Sequence, residues 1–129
     1  MHTVLLVEDD VGVRKVLRHM LARFGYRVLE AGNAPEAIEL AASHPESIDL
    51  LVTDVVMPQT NCDQFVGKLR ESRPALKVIY ISGYSQEMLN RYGVDDERPN
   101  FIQKPFTADT LAQKIRELLP HSRTRTAGA

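Results

Sequence analysis

The feature that most constrains the fold is an apolar run that ends on a single carboxylate. Residues 48–52, Ile-Asp-Leu-Leu-Val, are bounded by turn residues and predict a strand that is buried on both faces. Asp54 follows at the carboxyl end of this strand, and Pro58 prevents the strand from continuing. In an open parallel sheet, ligands bind in the crevice outside the carboxyl ends of the strands. Asp also ends strands as a turn former or a helix cap, so this position alone does not decide its role.

Size and charge limit the classes of protein to which the chain can belong. Its 129 residues fit one domain, and 16 basic against 17 acidic residues leave a formal net charge of -1. No overall field favours nucleic acid or an anionic membrane as a partner, so neither is expected. The single cysteine, Cys62, cannot form an internal disulfide, which suits a reducing cytoplasm. No apolar run approaches the ~20 residues that span a bilayer, and no signal peptide precedes the first strand, so we expect a soluble cytoplasmic protein.

Four further apolar runs predict strands. They cover residues 3–7, 26–30, 77–81 and 100–103 and are rich in β-branched or aliphatic residues. The third of these ends on Ser82-Gly83, which leaves room for a ligand beside it. Together with the strand that carries Asp54, the sequence predicts five strands.

Helical spacing predicts helices between these strands. The apolar face of the first helix, which Gly25 closes, consists of Val13, Val16, Leu17, Met20, Leu21 and Phe24. A capping box formed by Asn33 and Glu36 begins the second helix, and a third begins near Asn61. Thr107 caps a last helix, whose inward residues are Leu111, Ile115 and Leu118. Between the fourth and fifth strands, residues 86–92 can form two helical turns, and residues 93–99 form a polar loop.

This alternation predicts an α/β fold. Parallel strands need helical crossovers, which place helices on both faces of the sheet. At this length the natural choice is a flavodoxin-like, doubly wound sheet with strand order 2-1-3-4-5. We expect one domain over residues 1–119, followed by a disordered tail or linker at residues 120–129.

Polar side chains collect at the carboxyl ends of these strands. Glu8 and Asp9 follow the first strand, Asp54 the third, Ser82 the fourth and Lys104 the fifth. Three carboxylates within a few ångströms drive one another towards protonation unless a cation joins them, and Lys104 alone cannot balance three charges. A hard divalent ion such as Mg²⁺ can do so, with oxygen ligands and a substrate phosphate. Asp54 is then a candidate nucleophile, because carboxylates form aspartyl-phosphates.

Each of these residues also has an ordinary structural explanation. Asp9 and Asp10 could merely cap the first helix, Lys104 could be a solvated charge, and Ser82 could form a turn. All of them fall at the same edge of a parallel sheet, which chance does not readily produce. The histidines are scattered without metal-ligand spacing: His2, His19, His44 and His121. A zinc site is therefore not expected.

Four motifs in register resemble the receiver domain of two-component response regulators. They are Val-Glu-Asp-Asp (7–10), Thr-Asp-Val-Val-Met-Pro (53–58), Ser-Gly (82–83) and Lys-Pro-Phe (104–106). The resemblance covers residues 3–119. The sequences around Ser82-Gly83 and Lys104-Pro105-Phe106 most resemble those of receivers attached to hybrid sensor kinases. It implies that Asp54 is the phosphoacceptor. It also implies that Glu8, Asp9, Asp54 and the backbone carbonyl of Val56 hold Mg²⁺.

The resemblance implies further roles around the phosphoacceptor. Lys104 would pair with the phosphoryl group, and a cis peptide would precede Pro105. Ser82 would move to hydrogen-bond a phosphoryl oxygen, and Phe101 would be the aromatic residue whose rotamer follows. The expected partners are a sensor histidine kinase or a histidine phosphotransfer domain. The expected output surface, through which a homodimer could also form, is the fourth helix, fifth strand and fifth helix.

The chain departs from the family pattern at three places. Cys62 stands where the family usually has Gly, and Cys does not adopt positive φ as cheaply. Either the loop beside Asp54 differs from that of the family or the cysteine was introduced. The fourth helix is short and is followed by an acidic loop. Phe101 lacks the hydroxyl of a tyrosine, so a switch there works by packing alone.

Three functions compete at this point. The first is a signalling switch that is not an enzyme beyond taking part in its own phosphorylation and dephosphorylation. The second is a phosphatase of the haloacid-dehalogenase type, which needs a second Asp two residues after the nucleophile, where this chain has Val56. The third is an interaction module that works without phosphorylation, against which the intact acidic cluster argues.

Overall fold

The computed structural model describes residues 2–57, 60–83 and 100–119. Within them the strands are β1 (Thr3–Val7), β2 (Arg27–Ala31), β3 (Leu50–Asp54), β4 (Lys77–Ser82) and β5 (Phe101–Gln103). The helices in these ranges are α1 (Val11–Arg23), α2 (Ala34–Ser43), α3 (Cys62–Ser72) and α4 (Ala108–Leu118). The helix predicted at residues 86–92, the polar loop at residues 93–99 and the tail at residues 120–129 lie outside the described residues.

The five strands form one parallel sheet. Its order is β2-β1-β3-β4-β5, which confirms the predicted flavodoxin-like order 2-1-3-4-5. Val7 pairs with Thr53, Asp54 pairs with Ile81, and Ser82 pairs with Gln103. The carboxyl ends of β1, β3, β4 and β5 are therefore nearly level, and the residues that end these strands meet at one edge of the sheet.

Alternate residues of the central strands pack against opposite layers of helices. Leu5, Val7 and Leu51 join the cluster that includes α2 and α3, whereas Leu6 and Val52 join the cluster that includes α1 and α4. Burial of one such side chain stabilises the fold by roughly 1.5–3 kcal/mol. The two apolar layers, rather than the polar edge, therefore hold the sheet together and leave that edge available for chemistry.

Polar side chains cap the helices, among them the predicted caps Asn33 and Thr107. The side chains of Asp10, Asn33, Asn61 and Thr107 accept backbone N–H groups in the first turns of α1, α2, α3 and α4. In α2 the capping box is a variant, because Glu36 accepts the N–H of Gly32 at 2.8 Å rather than that of Asn33. Each cap fixes where the chain leaves the carboxyl edge of the sheet.

One face assignment and several strand boundaries differ from the prediction, including those of β3, which is Leu50–Asp54 rather than residues 48–52. Val16 does not belong to the buried face of α1: it is 54% exposed, whereas Leu17 and Leu21 are buried, so the apolar stripe is narrower than its spacing indicated. β2 begins one residue later than predicted, because the N–H of Tyr26 bonds the carbonyl of Leu21 at the end of α1. β5 begins at Phe101, after a residue with positive φ.

Candidate functional site

A pocket of about 470 Å³ opens at the carboxyl edge of the sheet. The residues that line it are Glu8, Asp9, Asp10, Val13, Asp54, Val56, Met57, Ser82, Gly83 and Lys104. Every residue that the sequence placed at the strand ends therefore reaches one cavity. The level ends of the parallel strands bring these residues together from positions far apart in the chain.

The two aspartates after β1 have different surroundings. The carboxylate of Asp10 accepts the N–H of Val13 at 3.0 Å and caps α1, as its structural explanation predicted. Asp9 is exposed, and its carboxylate lies in the acidic cluster instead. Asp9 therefore does not serve as the helix cap, and it remains available to bind a cation.

Glu8 is a carboxylate that is held inside the protein. It is only 2% exposed, and its Oε1 lies 3.0 Å from the Nζ of Lys104. Its Oε2 accepts the N–H of Asp10 at 3.1 Å. Burial by itself raises the pKa of Glu8, but hydrogen bonds with Asp54, Lys104 and the Asp10 N–H outweigh it and lower this pKa below its usual value. Glu8 is therefore the carboxylate that stays charged.

Asp54 is the carboxyl group whose pKa this arrangement raises. It is 6% exposed, and its Oδ1 lies 3.1 Å from the Nζ of Lys104. Burial, the hydrogen bond with Glu8 and the charge of Glu8 raise the pKa of Asp54 to about 8, although Lys104 opposes this. Burial disfavours the charged form of Lys104, but Glu8 and Asp54 more than compensate and raise its pKa. Without a further cation, Asp54 is the site that holds a proton at neutral pH.

The three carboxylates fit a divalent cation. One oxygen from each of Glu8, Asp9 and Asp54 can be chosen so that all lie within 4.8 Å of one another. Oxygens on one Mg²⁺ ion lie roughly 2.1 Å from the metal and hence at most about 4.2 Å apart. Small side-chain shifts therefore bring these oxygens to one ion. The three carboxylates carry more negative charge than Lys104 balances, and this excess favours the binding of a divalent cation.

Other predicted site residues lie around the acidic cluster. Ser82 is buried at the pocket, and its carbonyl accepts the N–H of Lys104 at 2.7 Å. Val56 lines the pocket and exposes its side chain. The Lys104–Pro105 peptide bond is cis. Phe101 is partly buried against the cluster that contains Tyr80 and does not line the pocket, so any switching role for it depends on packing.

The backbone at Cys62 is not strained. An altered loop beside Asp54 stays a prediction, because residues 58 and 59 lie outside the described residues. Cys62 is the first residue of α3, directly after the Asn61 cap, and its φ is not positive. Its thiol is buried and lies 3.6 Å from the backbone carbonyl of Asp54. Because helical φ suits any L-residue, the position does not require Gly.

The sequence prediction missed one residue that reaches the site from outside the pocket. Helical spacing places Arg14 opposite the apolar face of α1, where a solvated charge is expected. Its Nη1 instead donates a hydrogen bond to the carbonyl of Glu8 at 2.9 Å. The available signal was its place in the first turn of a helix that begins directly after three acidic residues. That signal alone does not say which carbonyl the guanidinium meets.

Comparison with known proteins identifies the family. A family model for the response regulator receiver domain matches residues 4–116, which is most of the chain. The chain belongs to this family. The receiver domain is 37% identical over 117 residues to the sensor kinase CckA of Brucella abortus (strain 2308), a match that covers 91% of this chain and 12% of the kinase. It is 32% identical over 119 residues to the receiver protein CpdR of the same strain, with 92% and 98% covered.

Solved structures agree with this assignment. The receiver domain matches the crystal structure of the receiver domain from the hybrid histidine kinase CckA with a TM-score of 0.74 and 33% identity, covering 91% of this chain and 98% of that one. It matches the response regulator TrrA of Thermotoga maritima, in complex with Mg(2+)-BeF, with a TM-score of 0.72 and 28% identity, covering 92% and 99%. Among the residues that the structure describes, no helix has the length and apolar character needed to cross a membrane.

Proposed function

We propose that this receiver domain is a phosphorylation-dependent switch. In this proposal Asp54 accepts a phosphoryl group from a phosphohistidine, with Mg²⁺ present, and the modified domain changes its affinity for a partner. The observation that carries the proposal is the convergence of Glu8 and Asp54 on the Nζ of Lys104, at 3.0 and 3.1 Å, in an open pocket that Asp9 also lines. Such a site has a nucleophile, a cation and unbalanced negative charge for a divalent ion.

The chemical step is a phosphoryl transfer between two nucleophiles. A carboxylate oxygen of Asp54 forms the new P–O bond while the P–N bond of the phosphohistidine breaks. The imidazole nitrogen keeps the electron pair of that bond and takes up a proton, and Asp54 becomes an acyl phosphate. The transfer needs Asp54 in its unprotonated form. Because its pKa is raised, a cation that favours the charged carboxylate would favour the reaction.

Glu8, Asp9, Asp54 and the carbonyl of Val56 are the groups that would hold Mg²⁺. Bound there, the ion would neutralise the carboxylates and the charge on the transferring phosphoryl oxygens. Lys104 already lies against Asp54 and is placed to pair with a phosphoryl oxygen there. Ser82 can donate its hydroxyl from the end of β4, and Phe101 can follow by repacking beside Tyr80.

The surface beside the pocket suits a protein donor. Val11 and Val16 on α1 are exposed, and Val56 exposes its side chain at the pocket itself. Val16 and Lys15 also line a groove of about 680 Å³, and Ala108 at the start of α4 lines the same groove. A donor that brings a phosphohistidine to Asp54 must cover part of this surface, and exposed apolar side chains favour such docking. The partner in the proposal is a sensor histidine kinase or a histidine phosphotransfer domain.

The proposal treats the domain as a phosphoacceptor and not as an enzyme with an independent substrate. It takes part in its own phosphorylation and dephosphorylation. The residue two positions after Asp54 is Val56, which has no proton to donate to the leaving group of a phosphate monoester. We also propose a cytoplasmic location and no direct contact with nucleic acid.

Two arrangements are compatible with the relatives. The chain spans 12% of the CckA kinase and 31% of a cyclic di-GMP phosphodiesterase of Thermotoga maritima, but 98% of CpdR. The domain can therefore work as part of a hybrid kinase or by itself. A homodimer through the family's fourth helix, fifth strand and fifth helix is part of the proposal. In this chain these are the helix predicted at residues 86–92, which lie outside the described residues, then β5 and α4.

The test is incubation with acetyl phosphate and Mg²⁺, followed by intact mass. One added phosphoryl group on the wild type and none on Asp54→Asn supports the proposal. Equal labelling of the two proteins refutes the assignment of Asp54. A parallel titration with beryllium fluoride and Mg²⁺ should change the amide spectrum of the wild type, and an unchanged spectrum would favour an interaction module that works without phosphorylation.

A further inference from the structure

The guanidinium of Arg14 connects three elements beside the acidic cluster. Arg14 lies in the first turn of α1, where its own N–H bonds the carbonyl of Asp10 at 2.9 Å. Its Nη1 donates to the carbonyl of Glu8, at the end of β1, at 2.9 Å. Its Nε lies 3.6 Å from the Oε1 of Glu30 on β2. One side chain therefore links the start of α1 to the ends of two strands.

Gly32 provides the space that this guanidinium occupies. A Cβ built on Gly32 would lie 2.9 Å from the Nη1 of Arg14. The φ of Gly32 is not in the left-handed region, so an alanine there does not strain the backbone. The conflict is with the far end of a flexible side chain, which must shift by some tenths of an ångström. Because the crowded Nη1 is the atom that donates to Glu8, this shift disturbs that hydrogen bond. Gly32→Ala therefore displaces the guanidinium without changing any charge.

The bond to the Glu8 carbonyl matters because it fixes the peptide that joins Glu8 to Asp9. The pairing of β1 with β2 and β3 ends at Val7, so this carbonyl lies beyond the strand. A carbonyl that loses its donor turns towards another donor or towards water. The peptide plane turns with the carbonyl. That rotation moves Asp9, the exposed carboxylate of the acidic cluster.

We infer that Arg14 is a positioning residue, which holds the Glu8–Asp9 peptide so that both carboxylates face the same cation. The inference rests on the proposed Mg²⁺ site. It makes a prediction of definite sign. If Arg14 acted only through its charge, its removal would strengthen Mg²⁺ binding, because a cation would no longer repel the ion. If it acts by positioning, its removal weakens binding, as loss of groups that orient metal ligands does.

Arg18 supplies a matched control. Its Nε lies 3.1 Å from the Oε2 of Glu30, so it contacts the same carboxylate as Arg14. The side chain that donates to the Glu8 carbonyl is that of Arg14, not that of Arg18. Arg18→Met therefore removes a positive charge from the same helix and the same ion-pair group while leaving the Glu8–Asp9 peptide held.

The experiment is a Mg²⁺ titration, followed by amide NMR, of the wild type, Arg14→Met, Arg14→Lys, Gly32→Ala and Arg18→Met. Thermal unfolding in EDTA verifies that each protein is folded. We expect binding to weaken on the order of tenfold in Arg14→Met, to weaken in Gly32→Ala although no charge is lost, and to recover partly in Arg14→Lys. Arg18→Met should bind like the wild type. With acetyl phosphate, the Mg²⁺ concentration for half-maximal rate should rise in Arg14→Met, while the rate at saturating Mg²⁺ stays near that of the wild type.

The possible failures are distinguishable. If the wild type does not bind Mg²⁺, the proposed metal site is wrong and the inference falls with it. If the wild type binds but Arg14→Met and Gly32→Ala bind equally well or more tightly, only the role of Arg14 is refuted. Equal weakening in Arg18→Met and Arg14→Met would also refute it, because a general charge effect would then explain both.

Discussion

Glu8 and Asp54 share one cation, the ammonium group of Lys104, which lies 3.0 Å from the first carboxyl and 3.1 Å from the second. One positive charge does not balance two buried carboxylates and the exposed Asp9 beside them. The imbalance appears as opposite pKa changes, lowered in Glu8 and raised in Asp54. The group that is proposed to react is therefore the one that the metal-free protein holds in its neutral form.

The stability of the metal-free protein should depend on pH through Asp54. Its folded pKa of about 8 lies above the ordinary value of 3.8, so the folded protein binds more protons than the unfolded chain between these values. The stabilisation that this provides is present below the ordinary value and is lost as the pH rises through 8. Asp54→Asn is neutral throughout, so at pH 8.5 in EDTA we expect it to be more stable by at least about 1.4 kcal/mol, the free energy of one pKa unit.

Urea unfolding from pH 5 to pH 9 measures this difference. Glu39→Gln is a suitable control, because it removes an exposed carboxylate on α2, and it should follow the wild type. A constant difference between the wild type and Asp54→Asn across this range would contradict the pKa assigned to Asp54.

Lys104→Ala should separate metal binding from signalling. The variant keeps Glu8, Asp9 and Asp54 and should still bind Mg²⁺, since removal of a positive charge does not weaken attraction for a cation. It loses the group that lies 3.1 Å from Asp54, so its phosphorylated form should activate a partner poorly. Mg²⁺ titration and a partner-binding assay measure the two effects, and normal activation would disprove the role of Lys104.

Val16→Glu should distinguish a protein donor from a small one. Val16 is exposed on α1 and does not line the pocket that contains Asp54, so phosphorylation by acetyl phosphate should be unchanged. Transfer from a phosphorylated kinase or phosphotransfer domain should slow by on the order of tenfold, the effect of about 1.4 kcal/mol of docking energy. Ala42→Glu, at an exposed position on α2, is the matched control. Equal transfer to the two variants would remove α1 from the donor surface.

Cys62→Gly should destabilise the protein even though Gly is the usual family residue here. Gly in a helix costs about 1 kcal/mol relative to Ala, and Cys62 is helical and buried without positive φ. We therefore expect the free energy of unfolding to fall in the order wild type, Cys62→Ala, Cys62→Gly. Urea unfolding measures this order, and a more stable Cys62→Gly would mean that the cysteine strains the loop beside Asp54.

The sequence predicted the sheet and most of the pocket because both follow from where apolar runs stop. Asp54, Ser82 and Lys104 stand at strand ends, and parallel strands bring such ends together whatever the details of packing. Arg14 was missed because periodicity separates the solvated face of a helix from the buried face but does not identify the carbonyl that a long side chain reaches. Val16 was misplaced because it borders the buried stripe of α1.

The helical φ of Cys62 follows from a local signal in the sequence. The third helix was predicted to begin near Asn61, which is its N-cap, and a residue directly after an N-cap has helical φ. The structure supports the local signal, because φ at Cys62 is set by the start of the helix and not by the loop beside Asp54.

The alternation of the central strands restricts how this domain can vary between relatives. Leu6, Val52 and Ile102 pack towards α1 and α4, and Glu8, Asp54 and Lys104 each stand two positions after one of them. Exchange of one aliphatic residue for another does not change which face of the sheet each side chain occupies. Deletion or insertion of a single residue in β1, β3 or β5 moves the following side chains of that strand to the opposite face of the sheet. The apolar residues can still be buried there, but the charged group turns to the opposite layer. We therefore expect lineages to diverge at these strands by replacement and to confine changes of length to the connections between them.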